Sequence, residues 1–231
     1  SEREWKDADK LLVESSIEIT GSLKEDKRAP TGYEVQVEKL KVINFADVFP
    51  IKEDASEEFL LDKRHLWLRS RRLSAVMKIR STVFEAIHEY FRSNGYYEFQ
   101  SPTFTPNACE GGSTLFEVNY FGKKMYLTQS WQLYAEAGIF SLEKIYTVAP
   151  SFRAEKSHTS RHLTEYWHNE VETAWQSFDE LIAQAEDLVK HIVKKVLEKN
   201  KDELKTLKRD ISKLQPATKK KFPIITYEEA L

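Results

Sequence analysis

The stretch PSFRAEKSHTSRHLTEYWHNEVE, residues 150–172, sets two arginines, three histidines and four glutamates between segments that otherwise read as strands. Side chains alternate across an extended backbone, so Arg153 and Glu155 fall on one face and Phe152 and Ala154 on the other. On the return strand His162, Tyr166, Glu170 and Glu172 share a face, opposite Leu163, Trp167 and Val171. The pattern predicts a hairpin with an apolar side to bury and a polar side carrying a guanidinium, carboxylates and an aromatic ring. Such a face suits a ligand that combines phosphate with a flat heterocycle, because arginine forks onto phosphate oxygens and an aromatic ring stacks on a base. The connecting KSHTSR is cationic. A solvated, ion-paired hairpin would carry the same letters.

Outward from this hairpin, helix and strand signals cluster rather than alternate. IYTVAPSF reads as the incoming strand. Beyond the hairpin, Ser177 and Glu180 form a capping box for a helix whose buried stripe runs Leu181, Ile182, Ala185, Leu188, Val189, Ile192, Val193, Val196 and Leu197. The lysine-rich run 199–221 reads as a solvated helix and loop. Upstream, apolar residues from Leu73 to Phe91 recur at three and four up to the stop signal SNG, which predicts one long amphipathic helix. YYEFQSPTF follows as a strand, with Pro102 at its edge or end. Next come the loop TPNACEGGST, a hairpin LFEVNYFGKKMYLT turning at Gly122, and a helix-like SWQLYAEAGIFSLEK. Residues 11–45 read as a small β module, in which YEVQVEKLKVI alternates clearly after the turn-prone EDKRAPTGY. The charged connector after it places a boundary near Leu61. The expected class is α+β with an antiparallel sheet, beside a small all-β domain.

Two more stretches have the residue types of a site. CEGGST sets Glu110 before paired glycines, as a loop closing on a ligand would, or as an ordinary surface turn would. TQSWQLYAEA places Gln129, Gln132, Tyr134 and Glu136 at the start of an apolar helix, where amides and a carboxylate read a polar ligand or simply cap the helix. His158 and His162 have a spacing that two metal ligands could share, but a strand–loop position lacks the helical geometry for it.

Composition narrows the class. The 231 residues are 41% hydrophobic and 12% aromatic, enough for one large domain or two unequal ones. A single cysteine, Cys109, excludes an internal disulfide and a multi-cysteine metal site. No apolar run reaches the length of a bilayer span, so no membrane partner is expected and a cytoplasmic setting is the default. The net charge of −2 gives no global field for nucleic acid, so a polyanion would need a local cationic patch.

Taken in order, these stretches resemble the class II aminoacyl-tRNA synthetases of the aspartate–asparagine–lysine subgroup, and among them most closely the asparaginyl-tRNA synthetases of archaeal or eukaryotic cytoplasmic type. ESSIEITGSLKEDKRAPTGYEVQVEKLKVI is similar to the second half of the family's anticodon-binding OB barrel, and LLDKRHLWLRSRR to its hinge. The long helix through GYYEFQSPTF resembles motif 1, and SFRAEKSHTSRHLTEYWHNEVE resembles motif 2. The resemblance implies a partial OB barrel over 1–50, a hinge over 51–72 and the N-terminal half of a class II catalytic domain over 73–231. It implies that Arg153 is catalytic and holds the ATP α-phosphate and the activated carboxylate. Tyr166 would stack under adenine, with Glu155, Arg161, His162 and Leu163 completing the nucleotide site. Glu110, Gln132 and Glu136 would bind the amino acid together with Arg153, and Glu155, Ser157 and Thr159 would meet the tRNA acceptor end.

The amino acid follows from one departure. Where aspartate-specific relatives carry a lysine that pairs with the substrate carboxylate, this chain has Ala135, followed by Glu136. Glu136 accepts from an asparagine amide and repels aspartate; two charges about 4 Å apart at an effective dielectric of about 20 differ by roughly 4 kcal/mol. Trp131 and Ala135 both depart from what relatives carry. The implied reaction uses ATP with Mg²⁺, asparagine and tRNA(Asn), in a homodimer formed through motif 1, with no metal ligands within this chain. The family's glycine-rich motif 3 is not matched, since only FPIITYEEAL follows Lys221, so a fragment inactive by itself is expected. Rival readings are a noncatalytic nucleic-acid-binding or regulatory paralogue, an aspartate-specific synthetase, and an asparagine synthetase paralogue on the same scaffold; the β module counts against the last.

Overall fold

The structure, a computed structural model, describes residues 2–29, 31–109, 115–156, 159 and 161–231. The chain divides into two compact units, Ser1–Leu73 and Ser74–Leu231.

The first unit opens with a helix that the sequence analysis did not assign, α1 (Glu2–Asp9). Its polar side is laced by the i, i+4 pair Glu2–Lys6 at 2.9 Å, and its Trp5 and Ala8 face the hairpin that follows. That hairpin is β1 (Ser16–Glu25) and β2 (Tyr33–Asn44), antiparallel from Glu25↔Tyr33 to Ser16↔Asn44 with two register shifts. Leu11–Ser15 stays outside the strand, so the predicted β segment begins later than its apolar letters. One shift falls at Thr20/Gly21, where a Cβ on Gly21 would sit 2.0 Å from the Gln36 carbonyl oxygen. Only glycine permits that approach. Ile17, Ile19, Val37 and Leu40 line an open cavity of about 360 Å³ against Trp5, Ala8 and Leu11. The charged connector then folds into two short helices, α2 (Glu57–Asp62), capped by Ser56 accepting from the Phe59 N–H at 3.2 Å, and α3 (Arg64–Trp67).

The second unit is α+β. Helix α4 (Arg71–Ser93) ends at Gly95, whose φ of 79° supplies the left-handed exit. The predicted strand after it is split: β3 (Tyr97–Glu98) and β4 (Phe104–Thr105) flank an irregular stretch around Pro102, which has no N–H to give a ladder. Strands β5 (Glu117–Tyr120) and β6 (Lys123–Leu127) meet at Phe121–Gly122, both at positive φ, with the Asn119 carboxamide accepting the Gly122 N–H. Helix α5 (Gln132–Leu142) leads into β7 (Lys144–Phe152) and β8 (Glu165–Thr173). Helix α6 (Phe178–Lys199) starts with the expected capping box, and α7 (Lys201–Thr206), a 3₁₀ turn at Ile211–Lys213, α8 (Pro216–Lys219) and α9 (Tyr227–Ala230) complete the chain.

Two three-stranded sheets result, in the orders β3-β7-β8 and β4-β6-β5, antiparallel except for the two-residue parallel pairing of β3 with β7. On one face of β7–β8, Tyr146 and Val148 pack with Ile87, Phe91 and Tyr96, flanked by Leu188 and Ile192 of α6. The Phe91 and Tyr146 rings stack 4.7 Å apart, both fully buried. On the other face Ile145 packs with Trp131 and Ala135 of the α5 region. Both faces are thus covered at the Lys144 end, and α5 leaves the Ser151 end of its face free for polar residues.

Candidate functional site

The register of β7 and β8 decides which side chains meet. Thr147 lies opposite Glu170, Ala149 opposite His168 and Ser151 opposite Tyr166, all on the α5 face. One further bond, from the Arg153 N–H to the Thr164 carbonyl at 2.9 Å, carries the pairing past the end of the ladder and puts Arg153 beside Tyr166. The guanidinium carbon stands 5.7 Å from the centroid of the Tyr166 ring, within cation–π reach. The Tyr166 and His168 rings are 5.3 Å apart. Around them opens a cavity of about 440 Å³ lined by Arg153, Arg161, His162, Leu163, Tyr166 and His168.

Four residues along β8 from Tyr166, about 13 Å at roughly 3.3 Å per residue, Glu170 meets the start of α5. Its carboxylate accepts from the Ser130 hydroxyl and from the Trp131 N–H at 3.2 Å, and lies 3.3 Å from His168 Nδ1. Ser130 in turn accepts the Gln132 N–H at 3.1 Å. A carboxylate at this helix end satisfies donors that the helix cannot and complements its positive pole. At the far end of the same helix, the Glu143 carbonyl accepts the Ala174 N–H at 2.8 Å, just past the end of β8. Gln132 Nε2 donates to Glu136 Oε1 at 3.0 Å across one turn. Burial, and then the charges of Glu136 and Glu170, push the Glu172 carboxyl above its ordinary value. His168 is also within 3.3 Å of the buried Ser151 hydroxyl, so it links the arginine–tyrosine end of the face to the glutamate end.

A smaller cavity of about 290 Å³ lies between β4 and α5, lined among others by Thr105, Cys109, Thr128, Ser130 and Tyr134. Burial raises the Cys109 thiol above its ordinary value, and its sulfur donates to the Ser130 carbonyl at 3.6 Å. It is therefore a neutral packing group rather than a thiolate nucleophile.

Of the residues singled out from sequence, Arg153, Arg161, His162, Leu163 and Tyr166 surround one cavity, and Gln132 and Glu136 are hydrogen-bonded to each other. Glu155 is exposed and does not line the cavity. Thr159 engages the His162 ring through its hydroxyl. Glu110 and Ser157, like His158, lie outside the described residues. The apolar side of the hairpin is only partly buried. Val171 packs on the core, but Trp167 is 50% exposed, touched edge-on by Phe84, and Leu163 is 63% exposed. The reason is topological: Leu163 precedes the strand and belongs to the connection that lines the cavity. His168 was missed, although it has the same even parity as Tyr166, Glu170 and Glu172, and Ser130 was missed because nothing in its local sequence shows its long-range partner.

Known proteins share this sequence pattern and fold. Residues 56–231 match the family described as tRNA synthetases class II (D, K and N). The chain is 54% identical over 221 residues to the asparagine–tRNA ligase of Thermoplasma acidophilum, covering 96% of this chain and 51% of that protein. It is 48% identical to that of Thermococcus gammatolerans, covering all of this chain and 54% of the relative. The chain therefore spans about half the length of the curated relatives it matches. Among solved structures, asparaginyl-tRNA synthetase from Pyrococcus horikoshii complexed with asparaginyl-adenylate superposes with a TM-score of 0.91 at 45% identity, covering 99% of this chain and 53% of that one. The Entamoeba histolytica enzyme in complex with asparaginyl-adenylate gives 0.77 at 33% identity, covering 87% of this chain and 48% of that one. With three-quarters of its length matched by the family and its α+β unit superposing on these enzymes, the chain belongs to the class II tRNA synthetases of the D, K and N group.

Proposed function

We propose that the protein to which this chain belongs is an asparagine–tRNA ligase, activating asparagine with ATP and transferring it to tRNA(Asn). The observation that carries the reading is the placement of Arg153 over Tyr166 at the mouth of a cavity on the same sheet face as the Glu170–Ser130–Gln132 network. A π-surface beside a guanidinium fits adenine and α-phosphate, and a polar network along the strand fits the amino acid. The adenylate bound in the Pyrococcus horikoshii relative is the product such a site would make.

Asparagine's carboxylate attacks the α-phosphorus, pyrophosphate leaves, and the terminal ribose hydroxyl of the tRNA then takes the acyl group. Arg153 holds the charge that develops on the α-phosphoryl oxygens, and Tyr166 fixes the base, so the chain's contribution is alignment and electrostatic stabilisation. Arg161 and His162 would meet the outer phosphates, Leu163 would wall the nucleotide, and Glu155, Ser157 and Thr159 would meet the acceptor end. Gln132 and Glu136, with Glu110, would hold the amino acid, Glu136 accepting from its amide. Mg²⁺ would enter with ATP as the nucleotide's counter-ion. Residues 1–50 would be part of an anticodon-binding barrel, 51–72 a hinge and 73–231 the first half of the catalytic domain, in a cytoplasmic homodimer joined through α4 and the strand after it.

The test is amino-acid-dependent ATP–pyrophosphate exchange by the full-length protein, with asparagine, aspartate and lysine in parallel. Exchange with asparagine alone is expected, falling about 10²–10³-fold in Arg153→Ala, the cost of removing one preorganised charge-stabilising group. Absence of exchange with all three would favour a noncatalytic paralogue, and exchange with aspartate alone would reassign the pocket.

A further inference from the structure

The run from Lys190 to Lys221 holds twelve lysines and arginines against four acids, net +8 in a chain whose total is −2. The fold sorts these charges. Lys195 and Lys199 turn toward α4, where they pair with Glu89 at 2.7 Å and with Glu85 at 2.5 Å. Lys190 and Lys194, one turn apart, point away from the Leu188–Ile192 core stripe. The end of α8 is drawn back to that side, because the Phe222 N–H donates to Glu186 at 3.2 Å and the Lys190 ammonium sits 5.6 Å from the Phe222 ring centroid. Lys219, Lys220 and Lys221 are thereby held next to α6 and left exposed. The Glu186 carboxylate pairs with Lys190 and also feels the charge of Lys221, while no carboxylate among the described residues lies within ion-pair distance of Lys194, Lys219 or Lys220. Cationic charge in excess of its counter-charge raises the energy of the free protein, and a polyanion lowers it.

We propose that Lys194, Lys219, Lys220 and Lys221 form a binding surface for the phosphate backbone of duplex RNA, separate from the Arg153–Tyr166 cavity. The composition favours backbone over bases: lysine ammoniums are point charges without the arginine fork, so they position a nucleic acid without reading it. The choice of RNA rests on the tRNA-ligase reading, whereas the cationic surface itself does not.

The test measures binding of full-length protein to a short blunt RNA duplex by fluorescence anisotropy across a salt series. The triple variant K219E/K220E/K221E is compared with wild type and with Lys123→Glu, an exposed lysine on β6. Wild type is expected to bind with salt-dependent affinity, and the triple variant to lose at least tenfold, with the slope of log K against log salt shallower by about 0.9 for each phosphate contact removed. Equal loss in Lys123→Glu, an unchanged slope in the triple variant, or equally tight binding to polyglutamate would each overturn the proposal. Asparagine-dependent pyrophosphate exchange needs no tRNA, so it should be unchanged in the triple variant. Failure of exchange in wild type would sink the ligase reading and leave the surface standing.

Discussion

Glu172 holds its charge against burial and two neighbouring carboxylates, and the consequence is a stability that depends on pH in an unusual direction for an acid. Its folded pKa lies above the ordinary 4.5, so its contribution is fully present below that value and is lost as pH rises through the folded pKa. Glu172→Gln removes the repelled charge. The variant should therefore melt higher than wild type near neutral pH, and the gap should close as the pH falls below 4.5; a gap that is constant with pH would show that charge is not the cause. At this scale the sequence was informative wherever strand parity alone decides a neighbour. Arg153 and Tyr166 meet because pairing across β7 and β8 aligns their faces, and that was readable from alternation. His168 obeys the same rule and needed only consistent counting. Ser130 was beyond reach, because its partner Glu170 is 40 residues away and is chosen by how α5 docks, which no local pattern records.

Elements with strong local signals came out as read, and those that depend on distant partners did not. The capping box at Ser177 and Glu180 fixes the start of α6, and the periodic stripe from Leu73 to Phe91 lies within α4. By contrast, β3 and β4 are two residues each, because Pro102 interrupts the ladder and the strand survives only where β7 or β6 lies alongside. Helix α1 escaped notice because eight charged-rich residues lack a full apolar stripe; its one apolar face exists only against the hairpin. The strongest test of this packing is Phe91, which joins α4 to the stacked Tyr146 of β7. Phe91→Ala should cost about 3–5 kcal/mol through lost transfer energy and the cavity left behind. A loss below about 1 kcal/mol in denaturant titration would mean that α4 is not anchored there.

For the molecule as a whole, the chain divides into compact units at Leu73/Ser74, inside α4, rather than near Leu61 where the letters shift from alternating strand to dense charge. The order of strands within the sheets was not legible either, since register between distant segments is set by tertiary contact. The stretch from Phe45 to Ala55 has no helix or strand, and Lys52 is exposed within it. Limited trypsin digestion should therefore cut first after Lys52, giving a fragment that begins at Glu53, before any cleavage within α4 or α6; first cuts inside those helices would contradict the structure. A last consequence concerns degrees of freedom. Helix α5 is tied to the β8 side at both ends, by Glu170 at its first turn and, through its C-cap residue Glu143, by the Ala174 N–H just past the strand. A rod pinned at both ends to one strand cannot swing, so the wall it makes behaves as a fixed anvil. Accommodation to an incoming molecule must come from elsewhere than α5, and an order parameter survey should find stillness along it.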